Sequence, residues 1–177
     1  MGHYLCRHSA EGLVSGIIVE TEAYLSENDD ACHASRGIGK RNAVMFGPPG
    51  KAYVYLIYGC YFCFNVVTGP EGTGEAVLVR AVEPVEGRFL MQRRRGQPTS
   101  RSSLADGPGK LCQAFAIDQS FNGHDLQEKP LYLSENRAVN DDMEIIATPR
   151  IGVTLAAEKP LRFIIRGNKY LSRREPT

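Results

Sequence analysis

The hydrophobic pattern of the chain is mixed and dominated by period-two alternation, the signature of strands, with no internal repeat. Leu13 to Tyr24 reads as a strand, Ala52 to Val67 as a β-hairpin, Ala76 to Val82 as a buried strand and Leu161 to Arg166 as a late strand. Helices are fewer and shorter. Pro84, at a first-turn position, introduces Val85 to Arg95, whose apolar portion is Phe89, Leu90 and Met91. A second helix, Lys110 to Ile117, opens after the turn Gly107-Pro108-Gly109. Gln97 to Asp106, rich in Ser, Thr, Pro and Arg, reads as a loop, and Ser120 to Met143 as a long polar excursion before the chain returns with Glu144-Ile145-Ile146.

Within the hairpin, Tyr53, Tyr55, Tyr58 and Tyr61 surround Gly59. Alternation puts Tyr53 and Tyr55 on one face and Val54 and Leu56 on the other, with Tyr58-Gly59 as the turn. Any one of these rings is accounted for by cross-strand packing. Four together form a surface suited to stacking on a planar ligand such as a nucleobase, with one ring at the tip. A second unusual face carries Ile18, Glu20, Glu22 and Tyr24. Same-face neighbours in a strand lie about 6–7 Å apart, so each carboxylate disfavours ionisation of the other, and burial would raise both from a reference near ~4.3. One of them could then act as a base near neutral pH. Solvated glutamates on an edge strand remain the alternative, and the pattern does not choose between Glu20 and Glu22.

A chain of 177 residues, 42% hydrophobic, suffices for one substantial core, and one domain over residues 1–177 is expected. No apolar run approaches the ~20 residues of a membrane span, and no secretory h-region opens the chain. An intracellular protein, cytoplasmic or nuclear, with no membrane association is therefore expected. Five cysteines at irregular spacing fit reduced thiols better than a disulfide framework. A net charge of +1 means that any binding to phosphate must come from local patches. Two are candidates: Arg36, Lys40 and Arg41 in a glycine-bearing loop, and, as the stronger, Arg88, Arg93, Arg94, Arg95 and Arg101. Cys60-Tyr61-Phe62-Cys63 has zinc-ligand spacing, but it lacks a second pair and reads as core packing. Asp106 to Leu111 is half a P-loop without its Ser or Thr, although free amides at that helix start could hold a DNA phosphate. His33, after the acidic run Glu27 to Asp30, could be a pocket wall, a general acid or a satisfied polar residue.

Several strings have a more specific reading. Ile18-Val19-Glu20-Thr21-Glu22-Ala23-Tyr24-Leu25, Tyr53-Val54-Tyr55-Leu56-Ile57-Tyr58-Gly59 with Tyr61-Phe62-Cys63 and Asn65, Val79 to Pro84, Gly107 to Ala114, and Pro149 to Val153 occur in that order. Together they resemble the alkyladenine (3-methyladenine) DNA glycosylase family, from about Leu13 to Ser172. The resemblance implies an α+β fold: a single compact domain around a curved antiparallel sheet with a protruding β-hairpin. It also implies a monofunctional glycosylase that excises alkylated and deaminated purines from double-stranded DNA, as a monomer, without metal or cofactor. Carried over residue by residue, Glu22 is similar to the general base that activates water, and Arg80 to a second group near that water. Tyr24 and His33 resemble one wall of the base pocket, Tyr55 the opposing wall and Tyr53 its support. Asn65 resembles the side chain that narrows the pocket against the exocyclic amino group of guanine. Tyr58 resembles the residue that enters the minor groove, and the His33 amide a hydrogen-bond donor to the lesion.

One departure from the family pattern stands at Met1-Gly2-His3-Tyr4-Leu5, where members usually have a further N-terminal helix, so either a truncated start or a fold without that helix is expected. Two other classes remain open: a noncatalytic binder of damaged DNA, which would tolerate loss of Glu22, and a small-molecule hydrolase, which would not depend on DNA. Nothing in the strings ranks hypoxanthine, ethenoadenine and alkylated purines as substrates.

Overall fold

A computed structural model describes residues 1–96, 103–137 and 143–175, the side chains of 136 and 137 excepted. Eight strands, β1 (His3–Ser9), β2 (Gly12–Tyr24), β3 (Ala52–Ile57), β4 (Tyr61–Thr68), β5 (Glu75–Glu86), β6 (Leu131–Arg137), β7 (Ile145–Thr148) and β8 (Arg162–Ile165), join two helices, α1 (Arg88–Arg95) and α2 (Pro108–Phe115). All strands belong to one antiparallel sheet of order β3-β4-β5-β2-β1-β6. Strand β2 is its spine: β5 pairs along one edge, while the other edge pairs first with β1 and then, from Glu20 to Glu22, with β8, which in turn holds β7. The expected α+β class and the curled sheet are both observed.

Period-two reasoning located the strands whose apolar alternation is strong. The β3–β4 hairpin turns at Tyr58-Gly59, both with positive φ (53° and 72°), the pair of left-handed residues that matches strand twist in a tight hairpin. Three strands went unread, the shortest being β7, which begins where the pattern reads only as a return of the chain with Glu144-Ile145-Ile146. In β1, His3, Arg7 and His8 interrupt the apolar series, and β6, which pairs with it, lies inside the stretch Ser120 to Met143 that reads as a polar excursion. Residues 138–142 of that stretch, and 97–102 of the Gln97 to Asp106 loop, lie outside the described residues.

The first helix corrects the sequence reading. Pro84 is not its opening residue but a strand residue opposite Gly16, beside a register shift, where a missing N–H is tolerated. The chain turns into α1 at Gly87, with φ 72° and a position where a Cβ would come within 2.3 Å of the Leu13 carbonyl oxygen. The Pro84 carbonyl instead accepts from the Arg88 guanidinium at 2.7 Å. Helix α2 starts two residues earlier than the expected Lys110, with Pro108 and Gly109 in its first turn rather than in a preceding turn, and stops at Phe115, where Ala116 adopts a left-handed cap.

The sheet separates distinct apolar groups. Val54, Phe64, Val79 and Val82 pack with Met91, Leu111 and Phe115 of the helices, whereas Tyr53, Val67 and Ala76 pack with Cys32 and Met45 of the loop between β2 and β3. The helices thus close one face, and that loop, with its 3-10 turns His33–Arg36 and Ala43–Phe46, stands over the other. A smaller group joins Val19, Ala81, Ile165 and Tyr170. Among the described residues no helix is long and apolar enough to cross a membrane.

Candidate active site

Strand register assembles the site on the loop-covered face. Glu22 lies opposite Leu78, Leu78 opposite Asn65, and Asn65 opposite Tyr53, so side chains from four strands form one row. The adjoining rows supply Tyr24 on one side and Tyr55 with Cys63 on the other. Between Ile18 and Thr21 the β2–β5 register shifts twice, leaving first Val19 and then Arg80 without a ladder partner. These compensating bulges leave Arg80, from β5, beside both glutamates of β2.

Glu20 and Glu22 are both fully buried. They are not the bare pair of like charges that their spacing suggested, because the Arg80 guanidinium reaches both, with Nε 3.1 Å from Glu20 Oε1 and Nη1 3.3 Å from Glu22 Oε2. Their surroundings differ. Glu20 also accepts from Arg162 Nε at 2.8 Å and the Ser172 hydroxyl at 2.7 Å, both on Oε1, and from the Ser172 amide at 2.6 Å on Oε2, so both its oxygens are tied to structural donors. Glu22 accepts from the Ile151 amide at 2.7 Å and the Tyr24 hydroxyl at 2.9 Å. Geometry therefore favours Glu22 over Glu20 as the carboxylate with capacity for chemistry. Burial first, then the adjacent Glu22 carboxylate, pushes the Tyr24 phenol well above its ordinary value, so it stays a donor.

An aromatic cavity of about 280 Å³ opens beside this row, lined by Tyr24, His33, Tyr53, Tyr55 and Asn65 among others. The His33 ring lies 4.7 Å from that of Tyr55, and the Tyr53 and Tyr55 rings 5.2 Å apart. His33 Nδ1 shares a 2.9 Å hydrogen bond with the Tyr53 hydroxyl. Burial, reinforced by Arg41 and Arg36, lowers the His33 pKa from the ordinary imidazole value, and burial pushes the Tyr53 phenol up to about 12. Burial likewise raises the Tyr55 phenol, with Cys63 adding to it. The Asn65 amide is anchored by donating to the Tyr53 carbonyl at 2.9 Å. As the first residue of a 3-10 turn, His33 does not use its N–H within the turn. Asn42 fixes that turn by donating to the His33 carbonyl at 2.8 Å and the Gly37 carbonyl at 3.0 Å.

A groove of about 670 Å³ adjoins the cavity through Tyr24, Tyr55, Ile57, Gly152 and Val153, and continues past Arg80 to Lys110, Arg95 and the hairpin. Tyr58 stands at the hairpin tip, 83% exposed. The arginine run is used differently from expectation. Arg93 and Arg94 pair with Glu11, and Arg88 with the Pro84 carbonyl, while Arg95 lines the groove and donates to the Gln113 side chain; Arg101 lies outside the described residues. The glycine-bearing loop carries its charge beside the cavity instead: Arg36 lines it, and the Arg41 guanidinium lies 5.1 Å from the Tyr55 ring centre. Cys63 is buried and Cys60 exposed. Among the described residues, no group of three His, Cys, Asp or Glu side chains could hold a metal ion.

Sequence reasoning missed the residues that brace the site. Arg150 clasps Asp29 through two hydrogen bonds of 2.7 and 2.5 Å, donates to the Ala23 carbonyl at 2.9 Å and lies 4.7 Å over the Tyr24 ring. Arg150 thereby sets the backbone that presents the Ile151 amide to Glu22. Asp29 sat unremarked in the acidic run, and neither it nor Arg162 or Ser172 carries a local signal, because their partners are more than 100 residues away in the chain. What the assembled groups can do is hold a flat ring between aromatic walls and place a buried carboxylate and a guanidinium beside it.

Residues 1–169 match the family described as methylpurine-DNA glycosylase. A protein of Carboxydothermus hydrogenoformans, provisionally named a 3-methyladenine DNA glycosylase, is 51% identical over 97% of this chain and 88% of its own length. Proteins under the same provisional name in Methanoculleus marisnigri and Methanocella arvoryzae are 53% and 47% identical, over 94% and 99% of this chain and 87% and 88% of theirs.

Proposed function

The chain belongs to the methylpurine-DNA glycosylase family, and from that premise we propose that it is a monofunctional DNA glycosylase acting on alkylated or deaminated purines rotated out of the duplex. One observation carries the reading: Glu22, buried and paired with Arg80 of the groove, accepts from the hydroxyl of Tyr24, which lines both the aromatic cavity and the groove that also holds the exposed Tyr58. A base inside a duplex is out of reach, and extruding it costs roughly a few kcal/mol, less for a damaged and poorly paired base. The extruded purine stacks between Tyr55 and the wall formed by Tyr24 and His33, with Tyr53 as support. Tyr58 fills the gap left in the duplex. Asn65, held by the Tyr53 carbonyl, narrows the cavity against the amino group of guanine, and the His33 amide donates to the lesion.

Cleavage sends the glycosidic electron pair to the base and leaves positive charge on the sugar. Glu22 stabilises that charge and takes a proton from the water that attacks the anomeric carbon, beside Arg80. A cationic alkylated purine leaves readily, whereas a neutral one such as hypoxanthine leaves once protonated or hydrogen-bonded by the site. Among the described residues no lysine lines the cavity, and Lys110 in the groove is paired with Asp106 at 2.9 Å. This supports water rather than an amine as the nucleophile, an abasic product and no strand cleavage. The enzyme works on duplex DNA as a monomer and needs no cofactor.

The test is release of base from duplexes carrying one 3-methyladenine, hypoxanthine or ethenoadenine, followed by alkali to reveal abasic sites. Glu22→Gln is expected to slow excision by about 10²–10⁴-fold, the usual worth of a general base, while lesion binding persists. Full activity in Glu22→Gln would reject Glu22 as the base. Lesion binding without release by the native chain would favour a noncatalytic binder, and a covalent adduct trapped by borohydride would contradict the monofunctional assignment.

A further inference from the structure

We propose that Glu20 and Ser172 are positioning residues that hold Arg80 in place, so that the far end of the chain is part of the catalytic apparatus. This rests on the reading of Glu22 and Arg80 above. Arg80 is 8% exposed and lines the groove, and its guanidinium has three functions to divide. Nε bonds Glu20 at 3.1 Å and, at 3.4 Å, also faces the Ser172 hydroxyl, Nη2 bonds that hydroxyl at 3.3 Å, and Nη1 is left beside Glu22 at 3.3 Å. A hydroxyl has one proton, and that of Ser172 goes to Glu20 Oε1 at 2.7 Å, so its lone pairs face the guanidinium. Ser172 is therefore a two-way connector that fixes the rotation of the guanidinium about Nε, which an ion pair with Glu20 alone would leave looser.

Two carboxylates, Glu20 and Glu22, meet two guanidiniums, Arg80 and Arg162, so charge balance by itself does not call for Ser172. Arg162 already pairs with Glu20 at 2.8 Å, and its own remaining nitrogens are spent on the Thr148 hydroxyl and the Arg173 carbonyl, at 3.3 and 2.9 Å. Arg162 thus clamps the tail next to Ser172, and the Ser172 amide completes Glu20 at 2.6 Å. What Arg80 and Ser172 add is orientation toward Glu22. Misplacement of a catalytic group by about 1 Å can cost on the order of 10²-fold in rate.

The experiment is a single-turnover excision series on a hypoxanthine duplex with the full chain. Ser172→Ala, Arg80→Ala, the double variant, Ser172→Thr and Glu20→Gln are compared, with duplex binding measured for each. Expected are a roughly 3- to 30-fold slower chemical step in Ser172→Ala at unchanged duplex affinity, and recovery in Ser172→Thr, which keeps the hydroxyl. The double variant should be no slower than Arg80→Ala, because Ser172 acts through Arg80. Glu20→Gln should follow Ser172→Ala or exceed it. Native rates in Ser172→Ala, or losses that multiply in the double variant, would overturn the proposal. Including Glu22→Gln separates the two readings: if it retains activity, the assignment of the base fails, and if it is inactive while Ser172→Ala is native, only the positioning role fails.

Discussion

At the scale of single residues, the site depends on what each side chain is prevented from doing. Glu20 and Glu22 lie two apart on one strand, yet one is tied down by Arg162 and Ser172 and the other accepts from the Ile151 amide and the Tyr24 hydroxyl. His33, kept from protonating mainly by burial, has a pKa below the ordinary 6.5. The unfolded chain therefore binds a proton that the folded chain refuses, and stability is fully present above the ordinary imidazole value and lost as pH falls below it. Urea midpoints of the native protein should drop between about pH 7 and 5, and His33→Gln should show a shallower drop over that window. Tyr58 makes the opposite case. It is exposed at the hairpin tip, so Tyr58→Ala should alter the melting midpoint by less than about 0.5 kcal/mol equivalent while weakening lesion-duplex binding in a gel-shift or anisotropy titration.

At the scale of elements, function is built where strands deviate from regular pairing and where loops are tied down. Two bulges in the β2–β5 ladder bring Arg80 to the glutamates, and Gly16 allows the ladder to close, since a Cβ there would come within 2.9 Å of the Glu83 carbonyl oxygen. Loops on either side of the cavity are joined by the Asp29–Arg150 pair, both side chains fully buried. Against the upward push of burial, the bonds from Arg150 and the Leu25 amide hold the Asp29 carboxyl below its usual range. Asp29→Asn would leave the Arg150 charge buried without its counterion, for which the expected cost is about 3–5 kcal/mol, read as a lower urea midpoint. Because Arg150 also sets the Ile151 amide on Glu22, excision by the folded fraction should slow as well. An unchanged midpoint would mean that the clasp contributes little to the fold.

At the scale of the whole molecule, a net charge of +1 excludes general attraction to DNA, so affinity must come from cations beside the site. Arg36, Lys40 and Arg41 stand in the loop beside the cavity and Arg95 lines the groove, whereas Lys110 there is paired with Asp106. Each phosphate contact should contribute about 0.9 to the slope of log affinity against log salt. Lys40→Ala is expected to weaken binding to any duplex and to reduce that slope by about one contact's worth, whereas Arg93→Ala, whose partner is Glu11, should leave the slope unchanged. Binding isotherms at several salt concentrations check both.

Much was legible from local pattern alone. Strand β2, the tyrosine hairpin with its Tyr58-Gly59 turn, β5 and the presence of a helix after Gly107 follow from alternation and turn chemistry, because those signals depend on neighbours in sequence. The pairing of Tyr53 with Tyr55 on one face, against Val54 on the other, was equally local. By contrast, β1 and β6 are polar enough to hide their period and become strands by pairing with each other and with β2. Pro84 looked like a helix start because proline fits there, and only the Gly16 ladder shows it to be a strand residue. The sequence alone determined that the chain carries carboxylates, arginines and aromatic rings in the family's order. The resemblance singled out Glu22 and Arg80; that Asp29, Arg162 and Ser172 brace the site, only the tertiary structure decided, since those contacts join residues more than 100 positions apart and leave no periodic trace.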